Sequence, residues 1–308
     1  MSLPPHILTA NDLVTSQTAI LRGYSLLSII KQSMSSDARS EENRLRQDLT
    51  RAGNPQHVNI NNTLDDLLTA SGMSNKQITW FRLNAPAKMR LIAQKYVDLI
   101  ANKYASSSNP LEWIDEICEE YLLTKGGSIV GSTNNKIGAK ARKKFTRAIL
   151  QALKKQKTIY SKVVNDKNAD IVNEIHTQKR VILFDRKPKF LNNNIDIIIV
   201  DSTGPGFLRD NPLARYQDIL ACGELKGGID PPGSDEHWKT ANTALQRIHD
   251  EYNRKKCTVP ALFFVGASIV PSVADKIINK LITGEWQYAA NLTNHLQRTD
   301  IVDWLVAL

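Results

Sequence analysis

Apolar positions along the chain change period near residue 178, and that change divides the elements the sequence predicts. Before it they recur at helical spacing. Met89, Ile92, Ala93, Tyr96, Val97, Ile100 and Tyr104 fall on one face of a helix expected to begin near residues 84–86, where a cap residue and an early proline suit a first turn. It should stop in Ser106-Ser107-Ser108-Asn109-Pro110. Thr63-Leu64-Asp65-Asp66 resembles a capping box with Asp in place of Glu, ahead of a short helix ending near Gly72. Residues 111–123 read as an acidic helix in which Glu112, Glu116 and Glu120 share a face, as do Asp115 and Glu119; these faces are either solvated or paired with the cations that follow. Residues 126–135 read as a Gly/Ser/Asn loop, and a basic helix is expected from about 137 to 164. Beyond 178, residues 180–185, Ile195–Asp201, 218–227 and 259–267 read as strands, the last apolar enough to be buried on both faces. Helices should follow from Ser234 or Asp235 to about 256, from Pro271, and around 292–308. Strands alternating with helices imply an α/β fold with a mixed central sheet flanked by helices, plus a largely helical N-terminal region. The expected division is 1–175, mainly helical, and 176–308, an α/β core.

Composition narrows the class. A chain of 308 residues with 42% hydrophobic and 23% charged residues is an ordinary globular protein with room for a sizeable core. No apolar run approaches the roughly 20 residues of a spanning helix. The start, Met1-Ser2-Leu3-Pro4-Pro5, lacks the basic and apolar regions of a signal peptide, so a cytoplasmic protein without a membrane partner is expected. Cys118, Cys222 and Cys257 are too few and too scattered for a disulfide framework or zinc cluster, and read as reduced structural thiols.

Charge points to a polyanion. Forty Lys and Arg against 31 Asp and Glu leave a net charge of +9. Between Lys125 and Asn165 there is no acidic residue, while Lys125, Lys136, Lys140, Arg142, Lys143, Lys144, Arg147, Lys154, Lys155, Lys157 and Lys162 are all basic. A solvated helix normally mixes signs to gain i,i+4 pairs, whereas a one-signed stretch repels itself unless phosphates neutralise it. Phosphate contact is the expectation, with a merely basic surface as the alternative. Aromatic residues are only 6% of the chain and no stacking motif of single-strand readers is present, which disfavours RNA binding.

The candidate chemistry lies in Gly223-Glu224-Leu225-Lys226-Gly227. On a strand Glu224 and Lys226 share one face, and burying two such charges without a purpose would be costly. Asp196 opens the strand Asp196-Ile197-Ile198-Ile199-Val200; if the two strands are neighbours, Asp196, Glu224 and Lys226 converge. Two carboxylates suit magnesium (Mg2+), which prefers oxygen ligands, keeps several waters and takes further contacts from substrate phosphate. It would lower the pKa of a water and polarise the phosphate, while Lys226 orients the water and stabilises the charged phosphorus centre. Asp-then-Glu-x-Lys is common, and a surface ion pair on an edge strand is its bland alternative. Asp201 is a rival to Asp196, but its odd spacing places it on the opposite strand face.

The run Gly223-Glu224-Leu225-Lys226-Gly227-Gly228-Ile229-Asp230-Pro231, followed by Asp235-Glu236-His237-Trp238-Lys239-Thr240-Ala241, resembles the active-site region of the AvaI/BsoBI type II restriction endonucleases of the PD-(D/E)XK nuclease superfamily. The spacing of Asp196, Glu224 and His237 agrees, and Trp80-Phe81-Arg82-Leu83-Asn84-Ala85-Pro86-Ala87-Lys88 is also similar. The likeness spans most of the chain, with 196–241 its most specific part. The resemblance implies a restriction-endonuclease-like core and a homodimer enclosing duplex DNA. It implies cutting within C-Y-C-G-R-G after the first C, leaving 5′ overhangs. It also implies that Asp196 and Glu224 hold the metal, that Lys226 is the catalytic lysine, and that His237 lies close to the attacking water. His237 could instead be a polar helix-start residue. Asp230 can accept from cytosine N4 in the loop where the family reads cytosines, or can merely shape that turn. Lys76, Arg82 and Lys88 are candidates for guanine or phosphate contact by residue type alone. A cognate DNA methyltransferase would be the functional partner. Two alternatives remain: another nuclease on the same core, with different cut sites, and a DNA-binding protein without catalysis, whose activity would be indifferent to Glu224 and Lys226.

Overall fold

Among the described residues, seven strands pair in chain order to form one mixed sheet, with helices before, between and after them. The computed structural model describes residues 3–107, 109, 111–166, 168–191 and 193–308. Met1 and Ser2 of the N-terminal reading, and Ser108 and Pro110 of the expected helix stop, lie outside the described residues. Helices α1 (Ala10–Leu13), α2 (Gln17–Ala52), α3 (Ile60–Ala70), α4 (Asn75–Asn84), α5 (Pro86–Lys103) and α6 (Glu112–Lys155) precede the sheet. Strands β1 (Tyr160–Asn165), β2 (Asn168–Thr177), β3 (Arg180–Arg186), β4 (Ile195–Asp201) and β5 (Ile219–Lys226) form an antiparallel meander. Then α7 (Ser234–Arg254) crosses to β6 (Ala261–Gly266), and α8 (Pro271–Ile282) crosses to β7 (Tyr288–Asn291), both strands parallel to β5. Such crossovers are what parallel pairing requires. α9 (His295–Ala307) follows.

The described residues divide into two compact units: those through Ser25 together with Lys136–Leu308, and Leu26–Asn135. In the first, Ile198, Val200, Cys222, Leu262 and Phe264 face a core completed by Trp238, Leu245 and Ile248 of α7 and Val273 and Ile277 of α8. The opposite sheet face carries Phe263, whose ring meets Trp304 of α9 at 5.8 Å, and Phe184, over which the Arg142 guanidinium of α6 lies at 5.4 Å. The alternation of these positions, two residues apart within each strand, is what puts helices on both faces. The N-terminal segment is stitched to this unit by Thr15, whose hydroxyl donates to Ala267 O and accepts from Ile269 N. The second unit has its own core, in which Met89, Ala93, Val97 and Ile100 of α5 are buried with Leu67, Leu68, Ile114 and Ile117. The acidic residues of α6 pair within it: Asp115 with Arg46 at 2.6 Å, and Glu116 with Lys103 at 2.6 Å. Lys125, the cation of the basic stretch that lies in this unit, pairs instead with Glu41 at 2.7 Å.

Several expected elements differ. Residues 126–135 form no loop; α6 runs unbroken over 44 residues because neither proline nor a left-handed residue interrupts it. Each of its glycines costs about 1 kcal/mol relative to alanine, which is not enough to stop a helix otherwise able to continue. The basic helix ends at Lys155 rather than near 164, since Lys157 takes a left-handed φ of 53° and the β-branched Val163-Val164 lies in β1. α3 starts at Ile60 with Asn59 as its cap, and Thr63 sits inside it with its hydroxyl donating to Asn59 O at 3.0 Å. The short strand β7 carried too few residues to be read from pattern. The mixed sheet flanked by helices, with a helical N-terminal region, is as expected.

Candidate active site

β4 and β5 are neighbours, with Ile197 opposite Gly223, so Asp196 and Glu224 are the next residues along each strand. Their side chains meet Lys226: its ammonium donates to Glu224 Oε2 at 2.6 Å and to Asp196 Oδ2 at 3.3 Å. Asp196 Oδ2 also accepts from the Leu225 backbone N–H at 2.8 Å, which fixes the carboxylate across the strand end. Period-two alternation brings Glu224 and Lys226 to the same side, as the sequence predicted.

Burial divides the roles of the two acids. Glu224 is only 3% exposed, whereas Asp196 is a third exposed. Desolvation, reinforced by the Asp196 charge and opposed by Lys226, pushes the Glu224 carboxyl up to about 7. Burial pulls Lys226 down, but the two carboxylates outweigh it and hold the ammonium above the ordinary lysine value. Asp196, Glu224 and Lys226 open onto a cavity of about 510 Å³, which α7 lines with Glu236, Thr240, Thr243 and Arg247. Those α7 residues recur at helical spacing, a polar stripe whose periodicity is visible in the sequence. Among the described residues no group of three or more His, Cys, Asp or Glu side chains forms a metal cage. Two carboxylates, one of them buried and repelled by the other, fit a hard divalent cation that keeps most of its ligands for water and phosphate.

Asp201 stands apart from this cluster. It pairs with Arg180 at 3.2 Å and accepts from the Thr203 backbone N–H at 2.9 Å. His237 lies in the first turn of α7, with its ring over Gly228; a Cβ at Gly228 would fall 2.2 Å from His237 Nε2. The ring does not line the carboxylate cavity. Desolvation, and then the Lys226 charge, lower its pKa, which favours a neutral imidazole. Asp230, in the loop after β5, accepts from the Tyr24 hydroxyl at 2.6 Å. Gly23 lets α2 approach that loop, since a Cβ there would meet Ile229 at 2.3 Å. Lys76, Arg82 and Lys88 belong to the helical unit, all exposed on α4 or α5, and Arg82 is paired with Asp65.

A mixed sheet whose meander passes into parallel strands, with helices on both faces, is a restriction-endonuclease-like α/β fold; here it carries Asp, Glu and Lys at one end of β4 and β5. The chain belongs to the restriction endonuclease BsobI family, whose model matches residues 4–308. Type II restriction enzymes named AvaI, from Nostoc sp. (strain PCC 7120 / SAG 25.82 / UTEX 2576) and from Anabaena variabilis, are each 30% identical to it over 98% of both chains. The type II restriction enzyme BsoBI of Geobacillus stearothermophilus is 29% identical over 98% of this chain and 97% of its own. The family is one of site-specific deoxyribonucleases, hydrolases of the phosphodiester bond.

Proposed function

We propose that this chain is a type II restriction endonuclease that hydrolyses both strands of duplex DNA within C-Y-C-G-R-G, after the first C, using magnesium. The observation that carries the chemistry is the contact of Lys226 with both Asp196 and Glu224 at the mouth of a polar cavity. Asp196 and Glu224 would hold Mg2+, which supplies a polarised phosphate and a more acidic water. The Lys226 ammonium donates to a non-bridging phosphate oxygen and stabilises the charge that builds there as water attacks. His237, its pKa lowered so that the imidazole is neutral near pH 7, accepts the proton of that water directly or through another water. The oxygen–phosphorus bond to the leaving nucleotide then breaks, and its oxygen is protonated by solvent.

Asp230 would accept from a cytosine amino group, held in orientation by Tyr24. Lys76, Arg82 and Lys88 are proposed as DNA contacts on the helical unit. A palindromic site calls for a twofold partner, so the working form is a homodimer with one site per protomer. It acts in the cytoplasm beside a cognate DNA methyltransferase that protects host sites. Among the described residues no helix is long and apolar enough to cross a membrane.

Digestion of a plasmid of known sequence, with magnesium and with chelator, followed by end mapping, tests this. Cuts at every C-Y-C-G-R-G are expected with magnesium only. Discrete cuts at another motif would discard the specificity and keep the chemistry, and binding without cutting in magnesium or manganese would remove the enzyme reading.

A further inference from the structure

The basic stretch of the sequence does not form one surface. Arg142 is turned inward, donating to Val172 O at 2.6 Å and lying over Phe184. Lys143 is taken by Asp170 at 2.5 Å. Lys140, Lys144 and Arg147 remain, all exposed, on one side of α6 at i, i+4 and i+7 and without an ion pair among the described residues. With Lys143 and with Arg298 of α9 they line a cavity of about 530 Å³ whose lining, among the described residues, includes no carboxylate. Arg298 is anchored by donating to Leu292 O at 2.9 Å. Burial lowers the pKa of Arg298, and burial together with Arg298 lowers that of Lys144, so these two cations crowd each other, while Asp170, paired with Lys143, also feels the Arg147 charge.

This cavity is not part of the carboxylate site. α9 packs on the sheet face of Phe263, and α6 on the face of Phe184, which pairs with Ile197. Asp196 and Glu224 share strand parity with Ile198 and Cys222, which face α7 and α8. The two cavities are therefore on opposite faces of the sheet. From Lys140 to Arg147, the cationic length of α6 along the cavity, the helix rises about 10 Å, or roughly three base steps at about 3.4 Å each. A row of cations of that length matches successive phosphates of a strand better than one small anion.

We propose that Lys140, Lys144, Arg147 and Arg298 bind the sugar-phosphate backbone of duplex DNA flanking the segment that is cut. The proposal rests on the nuclease reading for its substrate, but not on the identity of the cleaving residues. Its test uses the triple variant Lys140→Gln/Lys144→Gln/Arg147→Gln of the full chain, with thermal melting to confirm folding. Fluorescence anisotropy in chelator follows binding of a labelled duplex across a salt series. The slope of log K against log salt should shrink by about 2–3, since each phosphate contact contributes about 0.9. The Lys140→Arg/Lys144→Arg/Arg147→Lys variant should keep the wild-type slope. The loss should be confined to duplexes with long flanks, while one trimmed close to the cut site binds all proteins alike.

An unchanged slope overturns the proposal, and an equal loss on trimmed and long duplexes overturns the flanking placement. Calorimetric binding of inorganic pyrophosphate, lost in the triple variant while duplex slopes coincide, would assign the cavity to a free polyphosphate instead. Because binding is read without cutting, a Glu224→Gln protein that still cleaved would sink the catalytic assignment and leave this result standing.

Discussion

Glu224 is held in a protonation balance that its burial sets. Its carboxyl is raised to about 7 from an ordinary 4.5, so the folded protein keeps a proton that the unfolded chain releases. The stability gained from that neutral form is complete below about 4.5 and is lost as pH rises through about 7. With divalent cations chelated, Glu224→Gln should therefore melt higher than wild type at pH 8, by on the order of 1–3 kcal/mol, and the gap should close below pH 4.5. A variant no more stable than wild type at pH 8 would mean that the carboxylate is not strained by its surroundings. His237→Ala should slow single-turnover cleavage by about 10²–10⁴-fold without weakening duplex binding in chelator. Equal rates would return His237 to a polar helix-start role. The residues of this cluster were legible because strand alternation is short-range: Glu224 and Lys226 had to share a side, and Asp201 had to differ from Asp196. The burial that separates Glu224 from Asp196 was not legible, since it comes from the strands and helices packed around them.

At the scale of elements, the site depends on β5 lying tightly against β6. Gly223 pairs with Phe263, and a Cβ there would stand 2.1 Å from the ring. Gly223→Ala should lower stability by about 1–3 kcal/mol, the usual cost of overpacking, and should displace the strand that carries Glu224. Urea unfolding with a midpoint equal to wild type would show that the ring moves aside freely. The strands from residue 180 to residue 266 were readable from apolar runs bounded by turn residues. The long helix α6 was not, because its Gly and Ser content reads as loop when only local propensity is weighed. β1 and β2 were hidden by a different cause: their exposed, charged positions lack a clean alternation, and pairing with β3 stabilises them as strands. The polar stripe of α7 required knowing that β4 and β5 end beside it.

For the whole molecule, a palindromic target predicts a dimer. Sedimentation equilibrium should return twice the 34.5 kDa chain mass at micromolar concentration, and a monomer that cuts both strands at full rate would contradict the twofold scheme. The net charge of +9 was visible from composition, and so was its concentration in residues 125–165. How the charges divide between an inward arginine, an ion pair and a cationic cavity depended on the path of α6 over the sheet, which no local pattern encodes. The central claim is that Asp196, Glu224 and Lys226 cut DNA that other residues bind. The most direct measurement is single-turnover cleavage of a duplex containing C-Y-C-G-R-G by wild type, Glu224→Gln and Lys226→Ala, with binding of the same duplex measured in chelator. Cleavage should fall by about 10²-fold or more in both variants while their affinity stays within a few-fold of wild type. Undiminished cutting by either variant, with folding intact, would contradict the account.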